Sequence, residues 1–207
     1  MPVTIDALRP RLLDPGEAAE LDVHGRVDAA VLVPLYVQDD DLRRHAGEIS
    51  FPGGRQDIED GEEDLRDTAL REAEEEIGLP RDAVDIVGAL TPTPTIATNY
   101  AVYPFVGLIE PGHRWRPSAA EVAEVLELSV ADLRAGYRRQ RLMRRGVPFR
   151  TDVFEVSGQL IWGATARILS DLLERLEGIA WAGACAPQTS FSIGTATRFP
   201  HSVHEPS

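Results

Sequence analysis

The stretch that decides the reading is Arg71-Glu72-Ala73-Glu74-Glu75-Glu76-Ile77-Gly78-Leu79. At about 100° per residue, Glu72, Glu75 and Glu76 fall within an arc of about 100° on one face of a helix. That face adjoins an apolar stripe, Leu65, Ala69, Ala73 and Ile77, whose regular spacing marks the side turned toward a core. Upstream, Asp60-Gly61-Glu62-Glu63 has the form of a capping arrangement, with Asp60 as the expected N-cap. Gly78 stands where a C-cap belongs. Three carboxylates this close repel and raise one another's pKa. A hard divalent cation removes that penalty and suits an all-oxygen donor set, which points to Mg²⁺ or Mn²⁺. Glutamate runs also make ordinary solvated helices, so the surrounding pattern has to decide.

Working outward, Phe51-Pro52-Gly53-Gly54 is turn chemistry, and its two glycines allow backbone to approach a ligand closely. Val31 to Val37 reads as a buried strand, with Pro34 expected near an edge or bulge. Beyond the acidic helix, strand-like runs lie at about 85–90, 99–109 and 124–129. A polar-basic helix is expected near 131–145, then a strand from Thr151 to Val156 and a long helix over about 161–177, ended by Gly178. Strands mixed with three helices imply the α/β class, with helices on both faces of a mixed sheet. The expected organisation is an N-terminal segment 1–24 with a short helix, one domain over 25–180, and a loosely ordered tail 181–207 that is Ser/Thr/Pro/Gly-rich.

Composition narrows the function classes. The 207 residues suffice for one substantial core, and 43% hydrophobic with 27% charged residues is ordinary globular usage. A formal net charge of −13 argues against nucleic acid as the main partner, because that binding rests on basic surfaces. No apolar run approaches the roughly 20 residues that a bilayer span requires. The single cysteine, Cys185, cannot form an internal disulfide, and no signal pattern opens the chain; both point to the reducing cytoplasm. The five histidines show no metal-ligand spacing. Arg138, Arg139, Arg141, Arg144, Arg145 and Arg150 read as a solvated helix and turn. Substrate phosphate, or the acidic surface of a second subunit in a homodimer, is the alternative partner for them.

The acidic helix in its context resembles the Nudix box, Gly-x5-Glu-x7-Arg-Glu-apolar-x-Glu-Glu-x-Gly-apolar. All nine positions from Arg71 to Leu79 agree, and Glu63 precedes Arg71 by the required spacing. The box glycine is replaced by Asp57; the nearest glycine is Gly54, so the loop is three residues longer. The resemblance implies an α/β/α sandwich and hydrolysis of a nucleoside diphosphate linked to another moiety. By matched position Glu72 and Glu76 would be the main metal ligands, with Glu75 as a further ligand or orienting group. Arg71 would hold the glutamates by ion pairing. Glu121 and Glu124, on a later loop, are the candidates for the carboxylate that takes the proton of the attacking water.

Leu42-Arg43-Arg44-His45-Ala46-Gly47-Glu48-Ile49-Ser50-Phe51-Pro52-Gly53-Gly54 further resembles the coenzyme A pyrophosphatase branch, in Arg-x3-Gly-x3-Phe-Pro-Gly-Gly. The first half of that branch's motif is mostly absent, with Gln38 and Asp39 where Arg and Ser stand. Arg43, Arg44, Gly53 and Gly54 are accordingly the expected substrate-binding residues. The small-molecule substrate implied is coenzyme A or an acyl-CoA, split to adenosine 3′,5′-bisphosphate and 4′-phosphopantetheine. NADH, ADP-ribose, a nucleotide sugar or an oxidised nucleoside triphosphate are the alternatives, as is an inactive nucleotide-sensing domain.

Overall fold

The computed structural model describes residues 4–23, 25, 27–39, 48–56, 63–95, 99–144, 147–177, 179 and 189–198. Two short helices, α1 (Thr4–Leu8) and α2 (Pro15–Ala19), precede the long strand β1 (Val27–Asp39). β2 (Glu48–Ser50) and β3 (Gly53–Arg55) lead to helix α3 (Leu65–Ile77). Then come β4 (Asp85–Ala89), β5 (Thr93–Pro94), β6 (Tyr100–Leu108) and β7 (Val122–Ser129). Helix α4 (Val130–Gly136), a hairpin of β8 (Tyr137–Arg144) and β9 (Val147–Val156), and β10 (Gln159–Ile161) follow. Helix α5 (Gly163–Arg175) and strand β11 (Thr189–Arg198) close the described chain.

The layers follow from strand alternation. Successive side chains of β1 and β6, a parallel pair, point to opposite faces of the sheet. Ala30, Leu32 and Tyr36 of β1 join Ala101, Tyr103 and Phe105 of β6 in one core, against Leu65, Ala69, Ala73 and Ile77 of α3. Val33 and Leu35 join Val102 and Val106 in the other, with Ala166, Ile168, Leu169 and Leu172 of α5. A sheet buried on both faces needs apolar residues at consecutive positions, which is why β1 and β6 read as continuous apolar runs. The result is an α/β/α sandwich around a mixed sheet ordered β2-β11-β1-β6-β4, with β3 on β1, β5 on β6 and β7 on β11. A separate three-stranded sheet, β10-β9-β8, flanks it.

Four expectations change. Helix α3 starts at Leu65, capped by Asp64 and not by Asp60, which lies outside the described residues. Asp64 is extended, and its Oδ1 accepts from the N–H groups of Arg66 and Asp67, both at 2.8 Å. The basic stretch is helical only to Gly136. There the β9 backbone lies so close that a Cβ on residue 136 would sit 2.3 Å from the carbonyl oxygen of Glu155. Tyr137 onward then pairs with β9, tertiary pairing overriding the helix propensity of an arginine run. Helix α5 begins at Gly163, after β10, and ends at Arg175; Gly178 is outside the described residues. The segment expected as a loose tail supplies β11, paired with β1 at Leu35↔Ile193 and with β7 at Glu127↔Gly194.

Pro34 also differs from expectation, because β1 is interior to the sheet. Opposite β6, its edge pairs with β3 over Ala29–Val31 and with β11 from Leu35 onward. The residue without an N–H falls in the gap between those two partners.

Candidate active site

Helix α3 owes its position to small side chains. Ala69 and Ala73 are fully buried beneath it and let its backbone lie close on β1 and β3. Its C-terminus is closed by Gly78 at φ 68°, with Gly78 N–H bonded to Glu74 O at 3.1 Å, an αL cap, and Leu79 N–H reaching back to Ala73 O at 3.2 Å. A loop returning after β6 satisfies the last carbonyls. Arg116 N–H donates to Ile77 O at 2.9 Å and Ser118 N–H to Glu76 O at 2.8 Å. The helix is therefore fixed at the turn that carries Glu75 and Glu76.

Arg71 gathers the acidic side chains. Its Nε donates to Glu63 Oε1 at 2.8 Å, and its Nη1 to Glu72 Oε1 at 2.9 Å and Glu75 Oε2 at 3.3 Å. The Glu63 hydrogen bond, joined by Glu72 and opposed by burial, raises the guanidinium pKa above its already high value. Glu63 is held in turn by Thr68 Oγ1, which donates to its Oε2 at 3.0 Å, and by Gln56 Nε2, which donates to its backbone carbonyl at 2.7 Å. The longer loop before it does not keep Glu63 away from the helix. The sequence carries a signal for this contact in the spacing of Glu63 from Arg71.

The two glycines of β3 meet two of the glutamates. Glu76 is 1% exposed, and its Oε2 accepts from Gly53 N–H at 3.3 Å. A Cβ on Gly54 would lie 2.3 Å from Glu72 Oε1, so the missing side chain leaves the space that this carboxylate fills. A Cβ on Gly53 would strike the backbone, 2.2 Å from the carbonyl oxygen of Ala30. Glu75 turns outward, with its side chain 58% exposed. Buried carboxylates in an all-oxygen set fit a hard divalent cation in their chemistry. Among the described residues no three of them stand as a ready-made ligand set, so a cation would have to draw them together.

The same glycines border a cleft of about 360 Å³. Its walls are mainly apolar: Val31 and Ala29 of β1, Phe51, Tyr100 and Val102, and Ala164 and Ile168 of α5. Arg55, Ser50 and Thr165 add polar groups at the wall. The cleft residues of α5 were read from sequence only as part of a core helix, since nothing local marks a helix start as a cleft wall.

The other expected residues are placed differently. Glu121 is exposed, in the turn after Ser118 whose N–H binds the end of α3, and its side chain has no hydrogen bond or ion pair among the described residues. Glu124 is half-buried at the start of β7. Arg43 and Arg44 lie outside the described residues.

The NUDIX domain family matches residues 28–146. A protein of Cronobacter sakazakii named "Uncharacterized Nudix hydrolase NudL" is 36% identical over 185 residues, covering 83% of this chain and 94% of that one. Proteins of the same name from Salmonella paratyphi B and Salmonella newport are 41% identical over 133 residues, covering 63% of this chain and 68% of theirs. With the family matching more than half the chain, and the box glutamates gathered on one helix against a glycine strand, the chain belongs to the Nudix hydrolase family.

Proposed function

We propose that this chain is a divalent-metal-dependent pyrophosphohydrolase acting on a nucleoside diphosphate derivative, with coenzyme A or an acyl-CoA as its substrate in the cytoplasm. The observation that carries the reading is the seam where Gly53 and Gly54 separate the Glu72 and Glu76 carboxylates from the apolar cleft. A substrate crossing that seam sets its diphosphate at the carboxylates and its organic part in the cleft. The Arg-x3-Gly-x3-Phe-Pro-Gly-Gly pattern favours coenzyme A over other nucleotides.

Glu72 and Glu76 would hold the cation, Mg²⁺ or Mn²⁺, with Glu75 as third ligand or orienting group. When bound, the cation supplies positive charge to the diphosphate and makes an attacking water more acidic. Arg71 acts as a positioning residue: its guanidinium keeps Glu72 and Glu75 apart from one another's repulsion and tied to Glu63. Glu121 is assigned the proton of the water, on a loop anchored to the carbonyl of Glu76 through Ser118. Water oxygen attacks one phosphorus, the bond from that phosphorus to the bridging oxygen breaks, and the bridging oxygen leaves on the other phosphate. Coenzyme A would yield adenosine 3′,5′-bisphosphate and 4′-phosphopantetheine.

The test is a Mg²⁺ and Mn²⁺ activity screen of the purified chain against coenzyme A, NADH, ADP-ribose, a nucleotide sugar and nucleoside triphosphates, with products identified by mass. The reading expects coenzyme A to be turned over with the highest kcat/KM. Equal turnover of dephospho-coenzyme A would remove the 3′-phosphate from recognition. Tight binding without turnover of any diphosphate would identify a sensing domain instead.

A further inference from the structure

The exposed face of the β8–β9 hairpin has no part in the catalytic reading. Its base is rooted: Val153, Phe154 and Val156 are buried, α4 and α5 pack on β9, and Tyr137 lies over Phe154 with ring centroids 5.3 Å apart. Its outer half is not. Arg141, Met143, Pro148 and Arg150 are all exposed, Met143 to 67%. Among the described residues β8 is the edge of its sheet, paired with β9 on one side only. A two-stranded ribbon projecting into water is marginal by itself.

The charge pattern along the ribbon says what it lacks. Arg139, Arg141 and Met143 share one face with Asp152, Arg150 and Pro148, their cross-strand partners. Arg139 lies 3.6 Å from Asp152, which also accepts from the Tyr137 hydroxyl at 2.9 Å. Arg138 is paired with Glu155. One step further out, Arg141 stands directly opposite Arg150. Like charges in that relation destabilise a strand pair. Among the described residues neither has a carboxylate within ion-pair distance.

The chain itself offers the complement. Residues 137–156 hold six arginines against two carboxylates, in a chain of formal net charge −13, so all other residues together carry −17. Edge-to-edge pairing of two β8 strands would set arginine against arginine, the arrangement by which edge strands resist association. A carboxylate-bearing surface has the opposite sign. We infer that the β8–β9 hairpin is a docking arm that seats on the acidic surface of a second copy of this chain, with Arg141 and Arg150 receiving its carboxylates and Met143 packing beside them. Methionine suits that place because its flexible side chain adapts to an irregular surface.

Sedimentation of the full chain tests this without reference to catalysis. The wild type is expected to sediment at twice the 22.7 kDa chain mass at micromolar concentration and to dissociate as salt rises. Arg141→Glu with Arg150→Glu should weaken the dimer by about a hundredfold or more, and the milder Arg141→Gln with Arg150→Gln by about tenfold. Circular dichroism of each variant shows whether the fold persists. A wild type that stays monomeric at low salt, or a dimer that the folded charge-reversal variant leaves equally tight, overturns the proposal. A monomer that binds inorganic phosphate through these two arginines overturns it as well, and makes the pair a ligand site.

Discussion

Gly54 and the Glu72 carboxylate occupy adjoining space so tightly that a Cβ on residue 54 would fall 2.3 Å from Oε1 and 2.4 Å from Cδ of the glutamate. The backbone at Gly53 is equally crowded, but by main chain: its absent Cβ would meet Ala30 O at 2.2 Å. Two neighbouring glycines thus serve different ends, one shaping the carboxylate site and the other allowing β3 to pair with β1.

That difference is measurable. Gly54→Ala should displace Glu72 and lower kcat/KM by about tenfold or more, with a raised Mg²⁺ requirement and a melting temperature close to wild type. Gly53→Ala should instead unfold at clearly lower temperature, since backbone must move. Thermal unfolding and metal titration of the two variants separate the cases. Equal loss of stability in both would contradict the assignment.

Arg71 binds Glu63, Glu72 and Glu75 while 25% of its side chain is exposed, between the surface and buried regimes. Arg71→Gln should cost about 1–3 kcal/mol of stability in metal-free buffer. Mg²⁺ should recover part of that loss, because a cation replaces the missing positive charge. Chemical denaturation with and without Mg²⁺ checks it; a loss that Mg²⁺ leaves unchanged would count against cation binding by these carboxylates.

The N-cap makes a pH prediction. Burial pushes the Asp64 pKa up, but hydrogen bonds from the Arg66 side chain and from the N–H groups of Asp67 and Arg66 outweigh it and hold the carboxyl below its ordinary value. A lowered folded pKa stabilises the fold above the unfolded value of about 3.9, and the gain is lost as pH falls through the folded value. Asp64→Ala should cost about 1 kcal/mol near neutrality. The gap from wild type should shrink below about pH 4. Asp64→Asn, which keeps an acceptor, should lose less. Unfolding curves across pH test both.

The cleft makes a kinetic one. Ala164 lines it on α5, away from the Arg71 cluster. Ala164→Phe should raise KM by about tenfold with kcat within about twofold, the signature of lost ground-state binding. Steady-state kinetics decide, and a fall in kcat alone would place the organic part of the substrate elsewhere.

The legible parts of the fold were those written in local periodicity. Leu65, Ala69, Ala73 and Ile77 marked the buried face of α3, and Gly78 its end. The apolar run from Val31 to Val37 marked a buried strand, and the mixture of strands and helices marked a sheet covered on both faces. The cap was misplaced because Asp60 and Asp64 are equally good candidates, and only the folded backbone shows which one bonds to Arg66 and Asp67. β8 was hidden because its arginines favour helix, and the pairing that overrides them comes from β9. β11 was hidden because its only large apolar residues, Phe191 and Ile193, make a single short alternation with Ser190, Ser192 and Gly194; its pairing with β1 and β7 is wholly non-local.

The site shows the same division. Spacing along one helix grouped Glu72, Glu75 and Glu76, while their meeting with Gly53 and Gly54 depends on β3 lying under α3. The cleft depends on α5 arriving more than a hundred residues later, as the Thr165 hydroxyl bonding to Ile49 O at 3.1 Å records.

The central claim, that the Glu72–Glu76 face hydrolyses a diphosphate, is tested most directly by Glu76→Gln beside wild type in the coenzyme A assay with Mg²⁺. Wild type should release 4′-phosphopantetheine and adenosine 3′,5′-bisphosphate, and the variant should fold normally while kcat falls by about a hundredfold or more. Full activity in a folded Glu76→Gln protein, or no turnover of any diphosphate by wild type, would contradict the account.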